Sequence, residues 1–284
     1  MARRLDARRL PAELTANWRP EPENLAGENR DRFRRFRTDV TPWLSSTRAL
    51  NGTRILEIGS GEGISAACMA EQGAEVVGLD IMPEFVREAR ELVDRMGLSC
   101  RFEELNAVDM ADANVEPDWI IFWAALEHMT TGERLASLRA AWDLLSPGGL
   151  LTLVETPNRL WPYDSHTSQL PFYSWLPHEL AYRYSSFSPR VGFGDRYLDD
   201  DGADMDHFLR RGSGVSFHEF EVAIGDHRDL DVVSCMQLHQ RGSLRSLAWA
   251  LSRAGRTERA LRAFSPKTHR AWFQPFLYLT IQKA

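Results

Sequence analysis

Hydrophobic residues in the first half of the chain follow two alternating spacings. Continuous apolar runs occupy residues 54–58 and 75–79, and between them lies the Ala-rich stretch "GISAACMAEQG". Short apolar runs are typical of buried strands, whereas an Ala-rich stretch that closes on Gly73 is typical of a helix with a glycine cap. The pattern therefore predicts a strand, a helix and a second strand.

The alternation continues downstream. From Pro83 the apolar positions recur at helical spacing until Gly97, and strand-like runs follow at 100–105 and 118–126. Pro at the first helical position and Gly after the last are common helix boundaries. The run "DWIIFWAAL" is apolar throughout, as expected for a strand covered on both faces.

A third helix and a fifth strand complete this region. Thr130 and Glu133 have the spacing of a capping box, ahead of "RLASLRAAWDLL", where Leu135, Leu138, Trp142 and Leu145 form one stripe. "SPGG" then turns the chain into the apolar run "LLTLVE". Strands that alternate with helices over short connections predict an α/β fold, a Rossmann-like, doubly wound sheet.

The second half of the chain is less regular. Residues 157–215 are rich in Pro, Ser, Tyr and Trp, which favours a lid or substrate-binding insertion after the fifth strand. Beyond it, "SFHEFEVAI" indicates a capped helix, "DLDVVSCMQLH" a strand and "FLYLTIQKA" a final, antiparallel strand, with a helical insertion at about 242–273. We expect an N-terminal arm at 1–49, a core at 50–156, the lid, and a C-terminal part of the core at 216–284.

Composition and charge narrow the class of partner. The net charge of −6 gives no basic field for nucleic acid or an anionic membrane, so a small-molecule partner is expected. Three widely spaced cysteines suit neither disulfides nor a metal cluster, which favours the cytoplasm. No window is apolar enough for a membrane span, and the Arg-rich N-terminus lacks the apolar core of a signal peptide.

The loop "LEIGSGEG" between the first strand and helix is a candidate ligand site. Glycines at this turn allow a ligand to approach the backbone, in front of the helix N–H groups. A dinucleotide fingerprint needs a third glycine where this chain has Ile64, and its third glycine, Gly63, comes early. Glu57 would repel a pyrophosphate but suits a ligand with an ammonium group. These features disfavour a nicotinamide-dependent oxidoreductase.

The motifs from about 50 to 156 resemble those of the class I S-adenosylmethionine-dependent methyltransferases. "LEIGSGEG" is similar to their E/D-x-G-x-G-x-G loop, Asp80 to the acid that holds the ribose, "LNAVDM" to the adenine segment, "WAALEHM" to the fourth-strand motif and "LLSPGGLL" to the turn before the fifth strand. The resemblance implies S-adenosylmethionine as cofactor. It implies these cofactor-binding residues: Glu57, Gly59, Ser60, Gly61, Gly63, Asp80, Ile81, Met82, Asn106, Ala107 and Trp123.

Several of these positions have a second interpretation. Many relatives carry Asp where this chain has Asn106, so Asp109 is an alternative contact for the adenine amino group. Ile81, Met82 and Trp123 also suit simple core packing. A catalytically silent, cofactor-binding member of the fold is a further alternative for the whole chain.

Two histidines are candidate general bases for methyl transfer to oxygen. His128 follows the fourth strand, at the carboxyl end of the sheet, where α/β folds bind ligands. Some small-molecule O-methyltransferases of this family are similar in carrying a histidine at this position. His166 follows the fifth strand, with Asp164 close enough in sequence to orient its imidazole. If neither acts as a base, a carbon or nitrogen acceptor aligned by proximity is the alternative.

Aromatic residues around His166 predict a pocket that binds the methyl acceptor. The expected acceptor is a small specialised metabolite or a sugar-containing compound. The candidate substrate-binding residues are Trp161, Tyr163, Asp164, Phe172 and Trp175. The acidic stretch 194–207 does not fit a calcium loop, and no metal is expected.

Overall fold

The protein is described by a computed structural model, covering residues 10–22, 25, 27–193, 205–240 and 248–284. Its strands are β1 (Arg54–Ile58), β2 (Glu75–Asp80), β3 (Cys100–Glu104), β4 (Trp119–Trp123), β5 (Leu150–Pro157), β6 (Asp231–Cys235) and β7 (Phe276–Gln282). They form a 7-stranded sheet in the order β3-β2-β1-β4-β5-β7-β6. β1 pairs in parallel with β2 and β4, β2 in parallel with β3, and β7 antiparallel with β6. The predicted Rossmann-like sheet is confirmed, including its antiparallel end.

Helices connect these strands. The α-helices are α1 (Ala12–Ala16), α2 (Gly27–Arg35), α3 (Thr41–Thr47), α4 (Ile64–Ala70), α5 (Pro83–Arg95), α6 (Thr131–Leu144), α7 (His178–Tyr184), α8 (Met205–Leu209), α9 (Phe217–Ala223), α10 (Met236–His239) and α11 (Arg253–Phe264). A π-helical stretch, Phe36–Val40, joins α2 to α3. Short 3₁₀ helices occur at Ala107–Ala113, Leu126–His128, Tyr173–Trp175, Ser185–Phe187 and Arg270–Phe273.

Local sequence signals explain most element boundaries. Both capping boxes form: Glu133 accepts a hydrogen bond from the Thr130 amide at 2.9 Å, and Ser216 and Glu219 close the reciprocal pair ahead of α9. These bonds satisfy amides that a helix leaves unpaired at its N-terminus. No helix in the described ranges combines the length and apolar character needed to cross a bilayer.

Some predicted elements differ from those observed. The strand expected at 118–126 ends at Trp123, because Ala124 adopts a positive φ of 45° and the chain then enters a 3₁₀ turn. The strand expected at "DLDVVSCMQLH" ends at Cys235, and its last part forms α10. In the stripe predicted for α6, Leu138 is buried, but Leu135 and Trp142 are only half-buried.

The described chain divides into two compact units. The first comprises the described residues of Met1–Phe122, together with Asp143–Leu151 and Lys283–Ala284. In this unit the Arg-rich stretch of α2 continues into the π-helix, where buried Arg37 forms an ion pair with Glu71 at the end of α4 and lies over the Phe33 ring at 4.1 Å. The Arg run therefore forms a helix with a buried face.

The second unit comprises Trp123–Trp142 and Thr152–Gln282. Within the predicted lid, a small apolar cluster forms around Tyr173, with Leu170, Ala181, Phe193 and Phe208. The segment that carries no sequence periodicity thus has its own core and several short helices. The acidic stretch 194–207 lies outside the described residues except for its last few positions.

Candidate cofactor and catalytic sites

The glycine loop has the backbone that its composition predicts. Gly59, Gly61 and Gly63 have φ values of 78°, 49° and 77°, a region that L-residues rarely adopt. The Asp80 carboxylate accepts hydrogen bonds from the Gly61 amide at 2.9 Å and the Met82 amide at 3.0 Å. Each carboxylate oxygen keeps a second lone pair, so Asp80 is still able to accept hydroxyl donors.

Gly63 is required by packing as well as by its dihedral angle. A Cβ at this position would lie 2.8 Å from Cβ of Ala89, on α5, whereas a Cβ at Gly61 would meet nothing within 4 Å. Gly63 therefore lets α4 pack closely against α5, and Gly61 leaves space in front of the loop. Close packing against Ala89 therefore explains why the third glycine of the loop stands at position 63.

Glu57 is the most unusual group of the first unit. Its side chain is 0% exposed, and among the described residues no donor meets full hydrogen-bond geometry with either carboxylate oxygen, although the Ser65 hydroxyl lies close by. Burial raises the pKa of Glu57 to about 8, and the nearby Ser65 hydroxyl only partly opposes this rise. A buried carboxyl without a partner indicates a missing ligand group, and an ammonium ion would complete it.

The other predicted cofactor contacts of this unit differ in availability. Ile81 and Met82 are 53% and 45% exposed, which excludes the core-packing alternative for them. Asn106 uses its side-chain oxygen to cap the 3₁₀ helix at Val108, at 3.2 Å, and leaves one acceptor site. Asp109, the alternative contact, is exposed, and Ala107 is buried.

In the second unit, the turn after β4 is held by a buried arginine. Arg134, on α6, donates hydrogen bonds to the Leu126 carbonyl at 2.9 Å and to Glu219 at 3.1 Å. The Glu127 carbonyl accepts a hydrogen bond from the Ser213 amide at 2.8 Å. These contacts fix the backbone from which Glu127 and His128 project.

Both predicted histidines lie in one cluster with an acid. The imidazole centroids of His128 and His166 are 6.1 Å apart, and His166 Nε2 lies 3.7 Å from Glu127 Oε1. His128 Nδ1 is 2.9 Å from the Arg210 carbonyl oxygen, which can only accept. Nδ1 of His128 is therefore the protonated nitrogen, and Nε2 carries the free lone pair.

The environment keeps these groups neutral. Loss of water around the rings lowers the pKa of His128 and of His166, and positive charge from Arg134 and Arg190, respectively, adds to the effect. Glu127 is 0% exposed, and burial raises its pKa to about 8. At neutral pH the two imidazoles carry lone pairs, as a base or a metal ligand requires.

The predicted partner of His166 is wrong. Asp164 does not orient the imidazole, because its carboxylate accepts hydrogen bonds from the backbone amides of His166, Thr167 and Ser168 at 2.7–3.1 Å. It organises the turn instead. The acid beside the ring is Glu127. This residue lies within the motif "WAALEHM", but the sequence pattern predicts no role for it.

The aromatic candidates fall into two groups. Tyr163, Phe172 and Trp175 are 51%, 51% and 48% exposed, and the Phe172 and Trp175 rings lie 5.1 Å apart. Trp161 is half-buried and donates its indole N–H to the Phe273 carbonyl at 3.1 Å. Trp175 likewise donates its indole N–H, to the Arg159 carbonyl at 2.7 Å, so the two groups differ in the exposure of their rings and not in whether the indole is anchored.

Trp123, the remaining predicted cofactor contact, is 2% exposed, and its indole N–H donates to Glu155 Oε2 at 3.1 Å. Its side chain therefore belongs to the core, and only its backbone suits the predicted role. Glu155 was missed by the sequence pattern. Its positive φ of 61°, at the carboxyl end of β5, is a conformation that no residue type in that stretch announces.

Residues 55–149 match a family described as a methyltransferase domain. This segment is a class I S-adenosylmethionine-dependent methyltransferase domain. The cofactor of the methyltransferase domain is S-adenosylmethionine, which supplies an activated methyl group when bound. The buried, unpartnered Glu57 and the open Gly61 loop fit its ammonium-bearing methionine portion.

Curated relatives and a solved structure each match part of this chain. A ubiquinone biosynthesis O-methyltransferase of Cereibacter sphaeroides is 36% identical over 116 residues, 41% of this chain and 46% of that protein. A tRNA 5-carboxymethoxyuridine methyltransferase of Escherichia coli is 34% identical over 104 residues, 36% and 39% of the two chains. The Synechocystis magnesium protoporphyrin IX methyltransferase structure with bound S-adenosylhomocysteine has 23% identity, coverage of 49% and 64%, and a TM-score of 0.41. This chain covers less than half the length of each curated relative.

Proposed function

We propose that this chain transfers the methyl group of S-adenosylmethionine to a hydroxyl oxygen of a small acceptor. The acceptor is a specialised metabolite or a sugar-containing compound, and the transfer is an in-line displacement with His128 or His166 as general base. The segment 157–215 forms the acceptor site and its lid. Trp161, Tyr163, Phe172 and Trp175 line that site.

The observation that carries this proposal is the pairing of two neutral imidazoles after β4 and β5. A hydroxyl must lose a proton to become a good nucleophile, and an imidazole with a lowered pKa is a suitable acceptor for it near neutral pH. His128 has the better-defined geometry, because the Arg210 carbonyl fixes its tautomer with Nε2 free. One curated relative carries the name of an O-methyltransferase, which supports the same class of acceptor.

Three alternatives to this proposal are distinguished by experiment. A carbon or nitrogen acceptor aligned by proximity would need no base. A nucleic-acid acceptor has the precedent of a relative named for tRNA, but the net charge of −6 disfavours it. A catalytically silent member would bind the cofactor without transfer.

The proposal is tested by S-adenosylhomocysteine release with a panel of phenols, catechols, sugars and nucleosides, and with tRNA in a separate arm. His128→Ala and His166→Ala are assayed singly. A positioned base contributes about 10²–10⁴-fold, so one variant should lose rate on that order while its S-adenosylhomocysteine affinity is unchanged. If neither variant loses more than a few-fold, general-base transfer to oxygen is the wrong mechanism.

A further inference from the structure

Glu127, His128 and His166 direct one ligand-type atom each towards a common space. These atoms all lie within 4.8 Å of one another. Glu127 is fully buried, and no donor from another described residue lies in hydrogen-bond geometry with either of its oxygens. A buried carboxylate of this kind destabilises the fold unless a bound group completes its interactions, so the cluster lacks a partner.

We propose that Glu127, His128 and His166 bind a divalent transition-metal cation, which in turn coordinates the hydroxyl oxygen of the acceptor. The role of the ion in catalysis rests on the proposed transfer to oxygen, whereas its binding does not. The sequence-based expectation of no metal considered only the acidic stretch 194–207, and this site lies elsewhere.

The distances suit an ion. Metal–ligand bonds of about 2.0–2.2 Å place two ligand atoms on one ion roughly 3–4 Å apart. His166 Nε2 and Glu127 Oε1, at 3.7 Å, already have this separation. All three ligand atoms lie within 4.8 Å of one another, and His128 is the most exposed of the three residues.

The orientation of His128 is that of a metal ligand. Its Nδ1–H donates to the Arg210 carbonyl at 2.9 Å, which leaves Nε2 as the ligand atom. Metal-binding histidines commonly donate their second N–H to a carbonyl or carboxylate in this way. Arg210 is itself held by Glu133, through two bonds of 2.8 and 2.9 Å, so the carbonyl has a fixed position.

The donor set determines the class of ion. Two imidazoles and one carboxylate suit Zn²⁺, Fe²⁺ or Mn²⁺, whereas Ca²⁺ and Mg²⁺ prefer oxygen ligands alone. Three protein ligands leave coordination positions open for water or an acceptor. A hydroxyl bound there would have a lowered pKa and would release its proton to water more readily. With both imidazole lone pairs on the ion, neither histidine would act as the base, so in the metal-bound protein this step replaces the imidazole base of the proposed function and keeps only its transfer to oxygen.

Two nearby arginines oppose a cation, but both are engaged. Arg134 pairs with Glu219 at 3.1 Å. Arg190 donates to the carbonyls of His166 and Thr167. Their charge is partly compensated in this way, and a bound cation would itself favour the ionised form of Glu127.

A second cluster has similar spacing between its ligand atoms, but its side chains already have partners within the protein. It consists of Glu221, Asp226 and His227. Both nitrogens of His227 already have partners, Glu221 and Thr268, and Asp226 is paired with Arg228. Its groups are satisfied within the protein, so it serves as the internal control.

The test uses the full chain without an affinity tag, treated with a chelator and titrated with Co²⁺ alone. Visible absorption reports the ligand field, and calorimetry reports affinity and stoichiometry. The native chain should bind one Co²⁺, and Glu127→Gln and His166→Ala should each weaken binding by more than about tenfold, since even loss of an indirect contact costs 10–100-fold. The matched controls, Glu221→Gln at the second cluster and the exposed His218→Ala, should bind as the native chain does.

Thermal melts accompany each variant. His166, whose side chain is 32% exposed, provides the readout if Glu127→Gln fails to fold. Absence of Co²⁺ binding by the native chain, or equal binding by all variants, overturns the ion site. Because acceptor and cofactor are absent from the titration, this failure leaves transfer to oxygen standing. Bound Co²⁺ together with no O-methylated product would instead overturn the proposed function alone.

Discussion

Glu57 and Glu127 are two buried carboxyl groups in different units, and they invite comparison. Both are 0% exposed, both lack hydrogen-bond partners among the described residues, and burial raises the pKa of each to about 8. They differ in their neighbours. Glu57 precedes a glycine loop with open space in front of Gly61, whereas Glu127 lies beside two imidazoles.

The same electrostatic feature, a buried acid with a raised pKa, therefore marks two kinds of site. An unpartnered buried acid indicates that a ligand completes the structure, and the neighbouring groups indicate which ligand. A buried acid behind open space suits the ammonium-bearing methionine portion of S-adenosylmethionine at Glu57. Imidazole lone pairs suit a proton or a cation at Glu127.

The largest expected effect concerns stability and pH. Both acids have a pKa of about 8 in the folded chain and near 4.5 when unfolded, so the unfolded chain loses their protons first. Stability of the cofactor-free protein should therefore fall as pH rises from about 4.5 to 8, by about 1.4 kcal/mol per pH unit for each group. Glu57→Gln and Glu127→Gln should each remove one group's share of this slope.

Urea unfolding at several pH values measures that slope. His218→Ala, an exposed change, is the control and should keep the native slope. If either Glu→Gln variant also keeps it, that acid is not protonated in the folded chain, and the likeness between the two acids disappears.

The second prediction isolates the glycine loop of the first unit. Gly63→Ala combines left-handed strain of about 1–2 kcal/mol with overpacking of about 1–3 kcal/mol against Ala89, which a Cβ would approach to 2.8 Å. Gly61→Ala has the strain without the contact and should cost about 1–2 kcal/mol. Denaturant midpoints of the pair measure the difference, and equal midpoints would contradict the packing role of Gly63.

The third prediction concerns ribose recognition beside Glu57. Asp80→Ala should weaken cofactor binding by about 1–3 kcal/mol, since it removes a charge-assisted acceptor. Calorimetry with S-adenosylhomocysteine measures this change. Wild-type affinity in the variant would mean that the ribose is held elsewhere.

The sequence predicts the site around Glu57 but not the one around Glu127. The strands β1 and β2, the glycine loop and Glu57 follow from local patterns, because apolar runs and glycine spacing are properties of neighbouring residues. The role of Glu127 does not follow, because its partner His166 comes from a distant turn that Asp164 organises.

The second unit shows the same limit. The small core around Tyr173 escapes prediction because its aromatic residues have no regular spacing. The early end of β4 depends on the positive φ of Ala124, which the apolar pattern does not encode.

The central claim is that Glu57 serves the cofactor and Glu127 does not, and one calorimetric titration at pH 8 tests it. S-adenosylhomocysteine should bind the native chain and Glu127→Gln with affinities within about twofold. Glu57→Gln should bind it roughly 10–100-fold more weakly, the equivalent of one charge-assisted hydrogen bond of about 1.5–3 kcal/mol. No binding by the native chain at millimolar ligand, or equal weakening in both variants, would contradict the account.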